Sequence, residues 1–177
     1  QTGLALAAFT AGLVLLPGGV LNGLMSPLTG RLFDKYGPRG LVTPGFVIMI
    51  IMLWMLSNIT MDTSIFMVVV MHSVLFVGIS MVMMPAQTNG LNQLPRNLYP
   101  DGTALMNTLQ QVSGAIGTAV AITIMSTSQT AYLKNATDIL DPETLSASLT
   151  AGVQDAFIFG LILAIVGLIM SLFIKKA

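Results

Sequence analysis

Residues 63–95, TSIFMVVVMHSVLFVGISMVMMPAQTNGLNQLP, run for 33 positions without a charge. A hydrocarbon core is about 30 Å thick, and a helix rising about 1.5 Å per residue crosses it in about 20 residues. The stretch is long enough to span with turn residues left over. Pro85 and the run from Gly90 to Pro95 mark where its helix gives way. Four more uncharged runs flank it, at 1–30, 40–61, 102–133 and 156–174. Composition agrees: 54% of residues are apolar, 17 are glycine and 8% are charged, where soluble proteins carry about 25% charged residues. The expected fold is all-α, a polytopic membrane bundle of five transmembrane helices. They are placed at about 10–29, 40–57, 64–86, 103–126 and 155–174, with an exterior loop at 127–153.

The basic residues orient these spans. If the helices alternate in direction, Arg31, Lys35, Arg39, Arg96, Lys175 and Lys176 share one side and only Lys134 lies on the other. An excess of Lys and Arg marks the cytoplasmic side, so the chain is expected to start outside the cell membrane and end in the cytoplasm. It opens on Gln1 with no basic leader before an apolar core, and reads as a piece of a longer protein. Zero net charge leaves no basic footprint for nucleic acid. No cysteine and a single histidine leave neither a thiolate nor a zinc site, and no metal or cofactor is expected. In the exterior loop, Asp141-Pro142-Glu143 reads as the cap and first turn of a short helix.

Small residues recur on one side of three helices: Gly12, Gly19, Gly23, Ser26 and Gly30; Gly114, Thr118 and Ala121; Gly160, Ala164, Gly167 and Ser171. Such stripes let helices approach closely in lipid. The second helix, rich in Met and Ile, lacks one and is expected at the lipid-facing periphery. Polar side chains within spans are costly without partners, which makes Asn22 and Ser26, His72, and Asn107, Gln110, Gln111 and Thr118 candidates for a substrate pathway. Interhelical hydrogen bonding would account for the same residues. Pro17, followed by Gly18 and Gly19, is expected to kink the first helix as a hinge. Thr10 is its expected N-cap.

The segment Gly30-Arg31-Leu32-Phe33-Asp34-Lys35-Tyr36-Gly37-Pro38-Arg39 resembles the G-x-L-x-D-[RK]-x-G-x-[RK] signature between paired helices of major facilitator transporters. Leu15-Leu16-Pro17-Gly18-Gly19, and the stretch from Asn107-Thr108-Leu109-Gln110-Gln111 to Ala119, are similar to the C-terminal half of the fourteen-helix drug:proton antiporters of the EmrB/QacA type. The resemblance implies that these are the last five of fourteen helices, part of a major facilitator fold, and that nine N-terminal helices are missing. It implies proton-coupled export of small amphipathic compounds by alternating access. It also implies that Gly30, Asp34, Lys35, Gly37 and Arg39 form a gating loop that closes the cytoplasmic side. Family members often carry Arg where this chain has Gln110, so no charge role carries over there.

Other functions remain open to the sequence: a transporter of the same fold with another substrate or coupling, or a non-transporting interaction or sensor module. A membrane-embedded enzyme would need convergent nucleophile, acid and base, and the spans hold no lysine and no carboxylate but Asp155 at the outer end of the last, so no catalytic residue is assigned.

Overall fold

The computed structural model describes residues 8–136 and 141–174. Over these the chain forms α1 (Ala8–Leu56), α2 (Ile65–Asn92), α3 (Tyr99–Lys134) and α4 (Pro142–Ser171), with a 3-10 turn at Arg96–Leu98 before α3. α1 is two rods joined end to end, because Gly37 alone leaves helical torsions, at φ 72° and ψ 176°. That combination lies in a region open essentially only to glycine. Pro38 follows as the first residue of the second rod, where a missing N–H costs no hydrogen bond. The rods are called here the first and second arms of α1.

Contacts fix the directions. Along the first arm, Gly18 sits against His72 and Phe76, and Thr29 lies beside Ser80, so this arm runs the same way as α2. Along the second arm, Gly45 meets Val82 and Gly78, while Leu53 and Leu56 share a cluster with Leu75 and Met71. The second arm therefore runs opposite to α2, and the chain reverses at Gly37. α4 lies antiparallel along the second arm, with Thr43 beside Ser171, Phe46 against Gly167 and Leu53 against Gly160. α3 leaves α2 antiparallel, Met106 against Gly90 and Leu94 against Gly102. The result is five alternating rods. Among the described residues four stretches are long and apolar enough to cross a membrane, Pro27–Leu56, Ile65–Asn92, Arg96–Lys134 and Pro142–Ser171, and Leu15–Met25 is a shorter apolar one.

Expectations about the spans change in three places, and two expected caps change with them. The turn after the first span shrinks to Gly37, since residues 31–36 stay helical. The exterior loop at 127–153 is mostly helix: α3 continues to Lys134 and α4 begins at Pro142. Its Ser and Thr side chains do not break the helices, because their hydroxyls donate back to carbonyls a turn earlier, Thr130 to Ser126 at 2.8 Å, Ser148 to Leu145 at 2.7 Å and Thr150 to Ser146 at 3.0 Å. Third, the second arm is not peripheral all round: Leu41, Val42, Leu53 and Leu56 on one face are buried in the core, while Val47, Ile51 and Trp54 on another are exposed as a lipid-facing helix requires. A stripe of small residues needs bulky side chains to fill it, and the second arm supplies them: Phe46 enters at Gly167, Leu53 at Gly160, and Met49 and Ile48 at Gly78.

Thr10 lies inside α1, which already starts at Ala8, and so does not cap it. Lys175 and Lys176 fall outside the described residues.

Asp141 caps α4 itself rather than a short separate helix. Its carboxylate accepts from the Thr144 backbone N–H and hydroxyl, each at 3.0 Å. The Thr144 backbone bond, followed by its hydroxyl bond, holds the Asp141 carboxyl below its ordinary value of 3.8. A carboxyl depressed on folding stabilises the cap above its unfolded pKa and loses that contribution as pH falls through the lower folded value. Asp141→Ala should therefore speed amide exchange at Thr144 at neutral pH, relative to the intrinsic rate. The wild type should show the same loss only below about pH 4. Equal protection in both proteins at pH 7 would overturn the capping role.

Candidate functional site

A cavity of about 400 Å³ opens where the first arm, α2 and α3 converge, lined by Asn22, Ser80, Met83, Met84, Gln87, Asn107 and Gln110. Helical spacing assembles it. Ser80, Met83, Met84 and Gln87 recur at three- and four-residue steps and so share one stripe of α2. Asn107 and Gln110 lie one turn apart near the start of α3, and the short turn at 93–98 brings them back beside the end of α2. Asn22 completes the rim from the first arm, one turn from the Gly18 contact.

Gln87 Nε2 donates to Gln110 Oε1 at 3.1 Å, joining α2 to α3 across the cavity. Ser80 is buried, its hydroxyl 3.4 Å from that of Thr29, which fixes the wall next to the first arm. The amides of Asn22 and Asn107 have no hydrogen-bond partner among the described residues. No lining residue is charged. The cavity thus offers amide donors and acceptors and the Ser80 hydroxyl beside two methionine side chains, a surface suited to binding by hydrogen bonds and apolar contact. Among the described residues no group of three or more His, Cys, Asp or Glu comes together that could hold a metal.

Of the polar residues singled out in the sequence, the structure brings Asn22, Asn107 and Gln110 together and leaves Gln111 and Thr118 on exposed parts of α3. The Ser26 side chain lies outside what is described. His72 is not in the cavity. Its ring packs on Phe76 with centroids 4.7 Å apart, and its buried Nδ1, without a hydrogen-bond partner among the described residues, faces Gly18. Gly18 therefore makes room for an imidazole: a Cβ there would come within 2.9 Å of Nδ1. Helical torsions continue through Pro17, Gly18 and Gly19, and the one departure in α1 is at Gly37. Ser80, Met83, Met84 and Gln87 were not assigned to the pathway from sequence. The signal was available in Gln87, an amide one turn below Met83 and Met84 in an uncharged run.

At the turn end of α1, Asp34, Lys35 and Arg39 are exposed and Gly37 is buried. Lys35 Nζ stands 5.1 Å from the centroid of the Tyr36 ring. No ion pair joins Asp34 to Arg39 or any other described residue.

Two faces bordering the cavity are bare. α3 has no buried residue, and Leu105, Leu109, Val112 and Ile116 along it are exposed. Among the described residues nothing lies within 4 Å of a Cβ built at Gly114 or Gly117, nor at Gly12, Gly19, Gly23 or Gly30 of the first arm. Apolar rows with backbone-deep gaps are what helix packing in lipid uses.

The chain is 70% identical over its whole length to the lincomycin resistance protein LmrB of Listeria innocua, and 60% identical over 99% of its length to LmrB of Bacillus subtilis. In both cases it spans 37% of the relative's length. It is 27% identical, over 76% of its length and 26% of the relative, to the probable multidrug resistance protein EmrY of Escherichia coli. No solved structure matches it. The family model for the Major Facilitator Superfamily matches residues 1–118, which takes in both arms, α2 and the cavity-lining start of α3. A multi-pass membrane protein of alternating apolar rods with a neutral polar cavity between them, this chain belongs to the Major Facilitator Superfamily.

Proposed function

We propose that the chain supplies the last five helices of a fourteen-helix exporter that moves amphipathic small molecules out across the cell membrane in exchange for protons. The observation that carries this reading is the neutral polar cavity between α2 and the two elements with bare faces, the first arm and α3. Substrate sites in transporters sit between repeats near the bilayer midplane, and access alternates as one bundle rocks against the other. The bare faces are where the remaining nine helices would pack, closing the cavity's open side. The names of the relatives, lincomycin resistance and multidrug resistance, support antibiotics as cargo.

In this reading the start of the chain faces outward, and the Gly37 turn and Lys175 and Lys176 face the cytoplasm. Gly30, Asp34, Lys35, Gly37 and Arg39 then gate the inner side. Asp34 lies in the last turn of the first arm, four residues before Pro38 opens the second. Uptake of a fluorescent drug into everted vesicles carrying the full-length protein, under an imposed pH gradient, tests the proposal. Asp34→Asn should abolish the pH-driven flux at an unchanged membrane level. Undiminished flux would reject the gating role, and no flux from the wild type would reject transport.

A further inference from the structure

The cavity's lining contains hydrogen-bonding groups of both kinds and no charge. Four amides and one hydroxyl, from Asn22, Gln87, Asn107, Gln110 and Ser80, share it with Met83 and Met84. A lipophilic cation is held in an apolar cavity by a carboxylate or an aromatic face, and an anion by Lys or Arg. None of these lines this wall. Its chemistry instead matches a solute with hydroxyl and amide groups and no charge, whose donors and acceptors replace water one for one.

The glutamine pair makes the match specific. The bond from Gln87 Nε2 to Gln110 Oε1 uses one donor and one acceptor of the four amide atoms. Gln87 Oε1 and both Gln110 Nε2–H groups are left for a ligand. Asn22 and Asn107 flank the pair with amides that have no protein partner among the described residues. The two thioethers give an adaptable apolar floor. The volume, about 400 Å³, falls within the range of about 300–1,000 Å³ usual for small-molecule sites.

We infer that Asn22, Gln87, Asn107 and Gln110 form a specificity wall for uncharged, hydroxyl- and amide-bearing ligands, with the Gln87–Gln110 bond exchanged for bonds to the ligand on loading. The inference rests on the transport reading and deepens it. A site built to hydrogen-bond a ligand's polar groups discriminates against ligands lacking them by orders of magnitude, because its own groups are otherwise left unpaired.

The test uses the full-length protein in everted vesicles with two probes. Chloramphenicol is uncharged, with two hydroxyls and an amide; ethidium is a permanent cation without hydroxyls. The ratio of chloramphenicol to ethidium flux is the readout, which a loss of folding or of membrane level does not move. In the Gln87→Leu, Gln110→Leu double variant the ratio should fall by about tenfold or more. Should that variant fail to reach the membrane, Gln110→Glu, nearly isosteric, should lower the ratio in the same direction by adding charge to the wall. An unchanged ratio overturns the inference, whether both fluxes drop together or neither does. Wild-type flux of ethidium without chloramphenicol also overturns it while leaving transport intact. Absence of both fluxes sinks the transport reading, and the specificity wall with it.

Discussion

Gly37→Val in the full-length protein is expected to lower the melting temperature and the folded yield more than any other single change at the turn. At φ 72° and ψ 176° a Cβ meets the neighbouring backbone, and such strain costs about 1–3 kcal/mol, with β-branched valine at the upper end. About 3 kcal/mol is roughly a hundredfold shift in the folding equilibrium. Gly37 is also buried, so a side chain must displace its surroundings as well. Asparagine is the informative comparison. It rescues glycine sites in the ordinary left-handed helical region, where ψ is near +47°, but not at a ψ of 176°. Gly37→Asn should therefore be nearly as damaging as Gly37→Ala. A wild-type melting curve for Gly37→Asn would show that the two arms are joined by a different turn.

The second large effect is expected at the crossing of the second arm with α2. Gly45 and Gly78 face each other there: a Cβ at either one lies 3.0 Å from the other's carbonyl oxygen, and a Cβ at Gly78 lies 2.9 Å from Met49 Cγ. Methionine can swing away, but a backbone carbonyl cannot, so Gly78→Leu must push the helices apart. Overpacking of this kind costs about 1–3 kcal/mol. The crossing lies next to the cluster of Leu53, Leu56, Met71, Leu75 and Ala164, so separation would also loosen the core of the bundle. Thermal unfolding in detergent should show a large drop for Gly78→Leu and a smaller one for Gly78→Ala, and adding Met49→Ala to the latter should recover part of it. Retention of the wild-type melting temperature by Gly78→Leu would mean that the helices are not in backbone contact.

How far the sequence could be read depended on the kind of information each residue carries. The gaps from Arg39 to Asp62, from Asp62 to Arg96, from Asp101 to Lys134 and from Asp155 to Lys175 announce apolar spans, because charge is expensive in lipid wherever it falls. The Asp141-Pro142 cap was legible because capping is local. What packs against what was not. Small residues at Gly160 and Gly167 mark an interface, but nothing on α4 says that the other side is Phe46 and Leu53 rather than a second stripe. That misled the placement of the second arm. The extension of α3 past Ser126 was missed for a related reason. Thr127, Ser128 and Thr130 read as loop formers, and only in the folded chain do hydroxyls such as Thr130's find carbonyls on their own helix. The cavity was half legible: Asn22, Asn107 and Gln110 stand out as amides in apolar runs, but their meeting with Gln87 depends on how α3 turns back onto α2.

The joined ends of α3 and α4 have a practical consequence. Helical residues 127–134 and 142–154 add about 12 Å and about 20 Å to the uncharged spans at about 1.5 Å per residue. They are clamped together where Gly152 presses on the Met125 backbone and the Ser128 hydroxyl donates to Asp155. Single-particle images of a transporter without soluble mass are hard to align inside a detergent belt. In the reading that places the α3–α4 turn outside the cell, this stiff pair, extended by splicing a helical fusion partner in phase with α4, would break the belt's near-symmetry and give each particle a visible orientation.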